Sequence, residues 1–416
     1  MTSAPPPPTH HHRPRRAEGG FPVVGIVGGG QLARMCQPPA VALSLTVSVL
    51  AESESASAAL VVPHSPVGHH TDLDALRSWA EHCDVVTFDH EHVPQDVLAA
   101  LAEDGVELHP SPAALVYAQD KLAMRERLTE LGLPCPRWAR ARTAEDVEAF
   151  AAEVGWPVVV KAPRGGYDGK GVQVCRELAE VEPWLSGVGE AGLADGLLLE
   201  EAVEFTRELS VMVGRSPSGQ AAAWPVVETV QEGGINTEVL APAPGLDPDL
   251  ATSLTEGALR IAGELGVTGV MAVEVFEVTE VGPGGATRAT YLVNELAMRP
   301  HNSGHWSIDG SVTSQFEQHL RAVLDLPLGD PSARDPWTAS ANVLGGDYAE
   351  LYGTYKHLMA RDPGLKIHLY GKGVRPGRKL GHVTVFGGRS GDVASLEALR
   401  ERARHAADYL QGVVTE

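Results

Sequence analysis

The sequence predicts an α/β protein of several domains that opens on a doubly wound parallel sheet. Three observations carry this. From Phe21 onward, short apolar runs alternate with amphipathic helical stretches, the pattern of strands joined by crossover helices. The chain has 416 residues, too many for one hydrophobic core, so it divides into two or three domains. Midway, the β-branched run Val158-Val159-Val160 reads as a buried strand, ends in Lys161, and leads into a loop holding Gly165, Gly166, Gly169 and Gly171.

Composition narrows the function classes. Hydrophobic residues make up 43% of the chain and the formal net charge is -21. That charge argues against nucleic acid or an anionic membrane as partner, since both need a basic surface. Small anionic substrates would have to be held by local clusters of cations. Cys36, Cys83, Cys135 and Cys175 are far apart with no C-x-x-C pair, so neither a zinc site nor a disulfide framework is expected, and a reducing cytoplasm fits. The longest apolar run, about Val41 to Ala51, is too short to span a bilayer. Residues 1–20 are rich in Pro and His, include His10, His11 and His12, lack an apolar core, and read as a disordered tail.

Taken in order, Pro22 to Val27 is a strand and Gly28-Gly29-Gly30 a turn. Gln31 to about Gln37 is a helix that Pro38-Pro39 should truncate or kink. Leu45 to Leu50 is the second strand, Leu73 to His82 a helix, Asp84 to Phe88 the third strand, and Val97 to Glu103 a helix. The stretch Gly28 to Ala33 satisfies G-x-G-x-x-A, with Glu52 at the end of the next strand. A dinucleotide fingerprint requires this, so a nicotinamide dehydrogenase is one reading, although the same helix N-terminus would hold any phosphate. A single helix from Gln119 to Leu133 and another from Thr143 to Glu153, capped by Thr143, follow. Leu197 to Glu201 and Phe205 to Val211 are strands, Leu254 to Leu265 a helix, and Gly269 to Val278 pairs with Thr290 to Leu296 as a hairpin. Thr313 to Leu324 is helical and Pro327 to Pro336 a linker. A small module follows, with strands at Lys366 to Tyr370 and His382 to Phe386 and a surface helix from Leu396 to Tyr409.

The chemistry gathers at three places. The loop after Lys161 carries Arg164, Asp168 and Lys170. Its backbone amides and cations suit phosphate, yet Arg164 and Gly171 stand where a P-loop needs Gly and Ser or Thr. Glu274 and Glu295 each lie inside an apolar strand of one hairpin. Buried carboxylates are costly unless neutralised, and two facing acids can share a hard dication that bridges nucleotide phosphates. Finally, Met298 to Trp306 packs polar side chains beside that pair, and Lys372 to His382 gathers four cations in an acidic chain, as an anion site would.

The order of strand lysine, mobile glycine loop, acid-ended hinge strand and paired glutamates resembles the ATP-grasp superfamily. More narrowly, four motifs resemble the 5-(carboxyamino)imidazole ribonucleotide synthase family. They are Gly28-Gly29-Gly30-Gln31-Leu32, Arg164 to Gly171, Asn294-Glu295-Leu296-Ala297 with His301 to Trp306, and Arg375-Pro376-Gly377-Arg378-Lys379. The resemblance runs from about Pro22 to Phe386. It implies a pre-ATP-grasp domain at 21–118, an ATP-grasp domain at 119–326 with its lid at about 143–208, and a C-terminal domain at 337–416. It also implies carboxylation of 5-aminoimidazole ribonucleotide by ATP and bicarbonate, with Mg²⁺ or, in its place, Mn²⁺, in a cytoplasmic homodimer of purine biosynthesis. A sibling ligase acting on another amine-bearing ribonucleotide shares the same machinery.

Residue by residue, the resemblance assigns ATP phosphates to Lys121 and Lys161, with Tyr167, Asp168 and Lys170 closing over them. Glu200, Glu201 and Val203 form the adenine hinge, Glu208 meets the ribose, Asn294 joins the nucleotide contacts, and Glu274 and Glu295 hold the metal. Asp168, Arg299, His301 and Lys372 are the expected catalytic residues. Gly30, Gln31, Leu32, Asn302, Lys372, Arg375, Arg378 and Lys379 are expected to bind the ribonucleotide. The chain departs from the family pattern at Met298, where proline is usual, at Asp89, where glutamate is usual, and at Ala297, where a wider superfamily pattern has a metal-binding Asn.

Overall fold

The computed structural model describes residues 13–166, 171–189, 193–282, 285–346 and 348–414. The chain divides into two compact units, residues 1–109 and 110–416.

The first unit is built on a parallel sheet of order β2-β1-β3, with β1 at Val23–Val27, β2 at Thr46–Leu50 and β3 at Val85–Phe88. Every residue of β1 is buried, as a central parallel strand covered on both faces requires. The parallel sheet expected from the sequence is therefore present. The first helix corrects the expectation of truncation, for it continues from Gln31 to Ala42 through Pro38 and Pro39. Those prolines remove amide donors, but Ala33, Cys36 and Ala40 are all buried along one face. Tertiary packing of such a face outweighs local propensity.

In the second unit a small antiparallel sheet has the order β4-β7-β5-β6, with β4 at Trp138–Ala141, β5 at Val158–Lys161, β6 at Val172–Cys175 and β7 at Leu197–Glu201. Val158, Val160, Leu197 and Leu199 pack there with Val147 and Phe150 of the helix Ala144–Val154. That helix begins with the reciprocal Thr143–Asp146 capping box, in line with the expected Thr143 cap. The helix expected from Gln119 to Leu133 is present as Lys121–Glu130, and a further helix that the sequence reading did not include, Pro112–Gln119, precedes it. Asp120 is extended between them, and its carboxylate accepts from the Leu122 and Ala123 amides. A side chain that caps a new helix this well ends the previous one.

The large sheet contains β8 (Arg207–Arg215), β9 (Ala221–Ala223), β10 (Val227–Glu232), β11 (Ile235–Ala241), β12 (Gly269–Val281), β13 (Thr287–Ala297), β14 (Trp337–Leu344), β15 (Lys366–Leu369) and β16 (Lys379–Gly387). Its order is β13-β12-β8-β10-β11-β14-β16-β15, with β9 paired to β8, and all pairs are antiparallel. The expected hairpin of β12 and β13 is therefore present. The strands after the Pro327–Pro336 linker are not a sheet of their own, because β14 pairs with β11. The last helix, Val393–Gln411, packs on the surface of the sheet as expected, with Leu396, Leu399, Ala403, Ala406, Ala407 and Leu410 buried against β14 and β16. Among the described residues no helix is long and apolar enough to cross a membrane, and all four cysteines are free.

Candidate nucleotide and carboxylation site

In the second unit, sequence alternation and one irregularity bring the expected charges together. Lys161 ends β5 and Glu200 lies near the end of β7, and the strands pair with Val159 opposite Glu200. Lys161 Nζ is 2.6 Å from Glu200 Oε2, and Arg125 Nε is 2.5 Å from Glu200 Oε1. Glu200 and Arg125 are almost wholly buried. Burial opposes the charge on Glu200, but Arg125 and Lys161 outweigh it and hold the carboxyl below its usual range. Breaking a pair so buried typically costs about 3–5 kcal/mol.

This geometry refines the hinge assignment. The Glu200 carboxylate is spent on Arg125 and Lys161, and Glu201 accepts from the Arg137 amide at 2.8 Å and its Nε at 2.7 Å. Neither side chain is offered to a base. Val203 is only partly buried.

Glu274 of β12 and Glu295 of β13 are register partners, as two facing acids require. The register then slips, and Val275 pairs with Val293. Asn294 is the extra residue of a bulge, a device that re-aims side chains. In a regular strand, neighbouring residues point to opposite faces. Here Asn294 Oδ1 accepts from Lys161 Nζ at 3.0 Å while Glu295 Oε1 meets Lys121 Nζ at 2.9 Å. The bulge thus turns two consecutive residues towards the two expected phosphate lysines.

The two acids differ electrostatically. Burial disfavours charge on Glu295, but Lys121, then Lys161 and Arg125, win and hold it below the usual range. Glu274 is pushed up to about 8, first by burial and then by Glu295 and Glu208, with Lys379 and Arg299 pulling the other way. A carboxyl under this strain is relieved by a dication placed between the pair. The donor set is hard oxygen only. Among the described residues no group of three or more His, Cys, Asp or Glu could hold a metal, so the pair would need phosphate oxygens and water to complete a shell. The residues fit Mg²⁺ on those terms. Glu208, on β8, is also raised by burial, against the pull of Lys161.

Next to Glu274 stands His301, with Nε2 3.4 Å from Glu274 Oε1. Its Nδ1 accepts from the Ser303 backbone amide at 3.3 Å and meets Ser303 Oγ at 2.9 Å. An amide can only donate, so Nδ1 is unprotonated and the neutral ring carries its proton on Nε2, facing Glu274. Burial, then Arg299 and Lys379, keep the ring neutral by lowering its pKa well below the usual value. Arg299 donates from Nη1 to the Pro300 carbonyl at 3.1 Å, Asn302 starts the short turn after His301, and Met298 is fully buried. Of the other expected cations, Lys379 is buried and acts electrostatically on Glu274 and His301. Lys372 lies over the Tyr370 ring at 5.5 Å, and Arg378 donates to the Gly373 carbonyl while Arg375 is exposed. Tyr167, Asp168 and Lys170 lie outside the described residues. At the base of their loop, Arg164 Nε is 2.8 Å from Asp120 Oδ2. Sequence reasoning missed Arg125, although it sits one helical turn after Lys121 on the same face.

In the first unit the Gly28 turn has carboxylates against its amides. Glu52 Oε2 accepts from Gly29 N at 3.1 Å, and Asp89 Oδ1 from Ala33 N at 2.7 Å. At Gly30 an added Cβ would fall 1.9 Å from Asp89 Oδ2, which is why no side chain fits there. Gln31 and Leu32 follow on the helix, Leu32 buried in the core. Glu52 sits far below its usual range, at about 2: burial opposes its charge, and His90 with the Gly29 amide prevails. Two amides that a dinucleotide phosphate would use are therefore already engaged.

Three family models match the chain: the ribonucleotide synthetase preATP-grasp domain over residues 22–119, the ATP-grasp domain over 126–316, and the phosphoribosylaminoimidazole carboxylase C-terminal domain over 338–395. The N5-carboxyaminoimidazole ribonucleotide synthase of Mycobacterium tuberculosis is 52% identical over 394 residues, 94% of this chain and 88% of that protein. The crystal structure of the N5-carboxyaminoimidazole ribonucleotide synthetase from Thermus thermophilus superposes with a TM-score of 0.78 at 37% identity, covering 92% of this chain and 98% of that one. The N5-carboxyaminoimidazole synthase of Aspergillus clavatus, solved with ADP and 5-aminoimidazole ribonucleotide, gives 0.80 at 29% identity, covering 94% and 99%.

Proposed function

The chain belongs to the N5-carboxyaminoimidazole ribonucleotide synthase family of ATP-grasp enzymes, and from that premise we propose how its own residues divide the work. The enzyme is an ATP-dependent ligase that carboxylates 5-aminoimidazole ribonucleotide in purine biosynthesis. Bicarbonate is the carbon source. One of its oxygens attacks the γ-phosphorus of ATP, the bond to ADP breaks, and carboxyphosphate forms. Collapse of that anhydride yields phosphate and CO₂, the amine nitrogen forms the new N–C bond, and the amine gives up one proton.

Lys121 and Lys161 hold the transferring phosphates, and Glu295, Asn294 and Glu200 keep them aimed before ATP arrives. Charge stabilisation by groups already in place needs no reorganisation during reaction. Glu274 and Glu295 hold Mg²⁺, or Mn²⁺ in its place, which when bound neutralises phosphate charge. The backbone of 200–203 takes the adenine and Glu208 the ribose. His301, neutral and protonated on Nε2, with Arg299 and Lys372, lines the place where carboxyphosphate breaks down. Tyr167, Asp168 and Lys170 close over it to keep water out. Lys379, Arg375, Arg378 and Asn302 take the ribonucleotide, and the family resemblance assigns the same ligand to Gly30, Gln31 and Leu32. Domain limits of 21–118, 119–326 and 337–416, a lid at 143–208, a cytoplasmic setting and a homodimer belong to the same proposal; light scattering of the purified protein checks the dimer.

The observation that carries this reading is the bulge at Asn294, which turns a metal carboxylate and a lysine anchor towards one place. Its test is ADP release by the purified protein with ATP, Mg²⁺ and labelled bicarbonate, with and without 5-aminoimidazole ribonucleotide. Ribonucleotide-dependent ADP release with label in an acid-labile product is expected. ATP turnover without label, or dependence on a different amine, would overturn bicarbonate or the ribonucleotide as substrate.

A further inference from the structure

The histidine that faces Glu274 is held by a residue outside every motif named above. His301 lies just past the end of β13 in an extended conformation, φ −128° and ψ 156°. An extended residue points its own N–H and C=O to the same side, and in a sheet a neighbouring strand would take both. Here the Gln315 side chain takes both instead. Gln315 Oε1 accepts from the His301 amide at 2.8 Å, and Gln315 Nε2 donates to the His301 carbonyl at 2.8 Å. The second Nε2 hydrogen goes to His305 Nδ1 at 3.0 Å. The amide orientation is thereby determined: only its oxygen can accept from an N–H, so its NH₂ must face the carbonyl and the ring nitrogen.

The glutamine is itself fixed. It is fully buried and opens the helix Gln315–Val323, which Ser314 caps. Its backbone amide donates to Ser307 Oγ at 2.9 Å, and that hydroxyl donates to the Gly304 carbonyl at 2.6 Å. Gly304 packs directly on the carboxamide: an added Cβ there would lie 2.5 Å from Gln315 Oε1. On the far side of His301, Ser303 sets the ring tautomer, and Ser303 Oγ is in turn 2.8 Å from Ser210 Oγ on β8. One end of His301 is thus tied to the large sheet and the other to a helix.

We propose that Gln315 is a positioning residue for carboxylation, acting as a one-residue strand partner that holds the His301 peptide so that its Nε2–H stays on Glu274. This rests on the role given to His301 above. Gln315 touches no substrate. Losing it leaves the nucleotide lysines and their anchors in place but frees the imidazole to swing from the place where carboxyphosphate breaks down. A displacement of about 1 Å at such a site costs on the order of 100-fold in rate.

Two variants test it from opposite sides of the contact. Gln315→Met keeps the volume and removes every side-chain hydrogen bond, while Gly304→Ala displaces the carboxamide by contact. For both, the ATP KM should stay within about 2-fold, and carboxylated product should form roughly 10- to 100-fold more slowly. ADP released per product should rise above one. Imidazole ¹⁵N spectra, with the His301 signal assigned through His301→Asn, should show a fixed Nε2-protonated ring in the parent and an averaged one in both variants. An unaltered His301 signal together with parental coupling would overturn the proposal, as would a slower rate explained by weaker ATP binding with coupling intact. If the parent itself shows no ribonucleotide-dependent ADP release, the functional reading fails, and the ¹⁵N comparison still decides whether Gln315 holds His301.

Discussion

The glycine turn of the first unit and the lysine bed of the second both read in the sequence as anion sites, and they are built on opposite electrostatic plans. At the turn, amide donors meet carboxylates of the protein itself, Glu52 on Gly29 and Asp89 on Ala33. Histidines surround them: His90 is 3.6 Å from Glu52, and the rings of His70 and His90 lie 4.9 Å apart. In the lysine bed, the cations Lys121, Lys161 and Arg125 share the carboxylates Glu295 and Glu200. The first arrangement offers a ligand acceptors and suits hydroxyls or an amine. The second offers a phosphate the cations Lys121 and Lys161, already aimed by Glu295, Asn294 and Glu200. Helix N-termini attract anions, and at the glycine turn the protein's own carboxylates already occupy two of those amides.

The lysine bed depends most on Arg125, so the largest expected effect comes there. Arg125→Leu leaves Glu200 buried with Lys161 alone and takes the donor from the Asn294 carbonyl, which Arg125 Nη2 holds at 2.7 Å. Denaturant unfolding should show a loss of about 3–5 kcal/mol, as for other buried pairs broken on one side. A loss near 1 kcal/mol would mean that the bed is as forgiving as a surface pair.

Glu274→Gln should separate stability from activity. It removes a carboxyl that burial, Glu295 and Glu208 all push up, so the protein should melt at a higher temperature. Product formation should fall about 100-fold, or about 2.7 kcal/mol. Sites built for function commonly sacrifice stability in this way. A variant that melts lower would show that Glu274 is better satisfied than its surroundings indicate, and would remove the strain that argues for a dication.

How much of this can be read from sequence depends on the kind of order involved. Lys161, Glu274 and Glu295 are legible because a charge inside an apolar strand is costly and therefore conspicuous. Asn294 comes only through resemblance, since a bulge leaves no periodic mark of its own. Arg125 escapes sequence reading because it pairs with Glu200, 75 residues on, and Gln315 because it meets the backbone of His301 rather than a side chain; no local pattern encodes either meeting. The helix through Pro38-Pro39 misleads for the reverse reason: the local signal is strong, and the buried face of Ala33, Cys36 and Ala40 overrides it.

The smallest effect, and the one that best sharpens the contrast, is acid sensitivity confined to the first unit. His70 is held at about 4, by burial first and then by His90, His69 and His92, with Glu52 opposing. Its folded pKa lies below the unfolded value of about 6.5, so the neutral ring's contribution is fully present above pH 6.5 and fades as pH falls towards 4. Glu52, held at about 2, gives a second contribution that is present above about 4.5 and fades below it. The two windows are therefore separable. His70→Asn should remove only the upper one, and because both groups are partly exposed the change should stay under about 1 kcal/mol. Hydrogen exchange of β1 amides reads it directly. In the parent, protection of Val23 to Val27 should weaken between about pH 6.5 and 5, after correction for intrinsic exchange, while β12 in the second unit keeps its protection. In His70→Asn the β1 loss should flatten. Parallel weakening of β1 and β12 in both proteins would show that the histidines around the glycine turn carry no acid sensitivity of their own, and that the two regions differ in ligand preference alone.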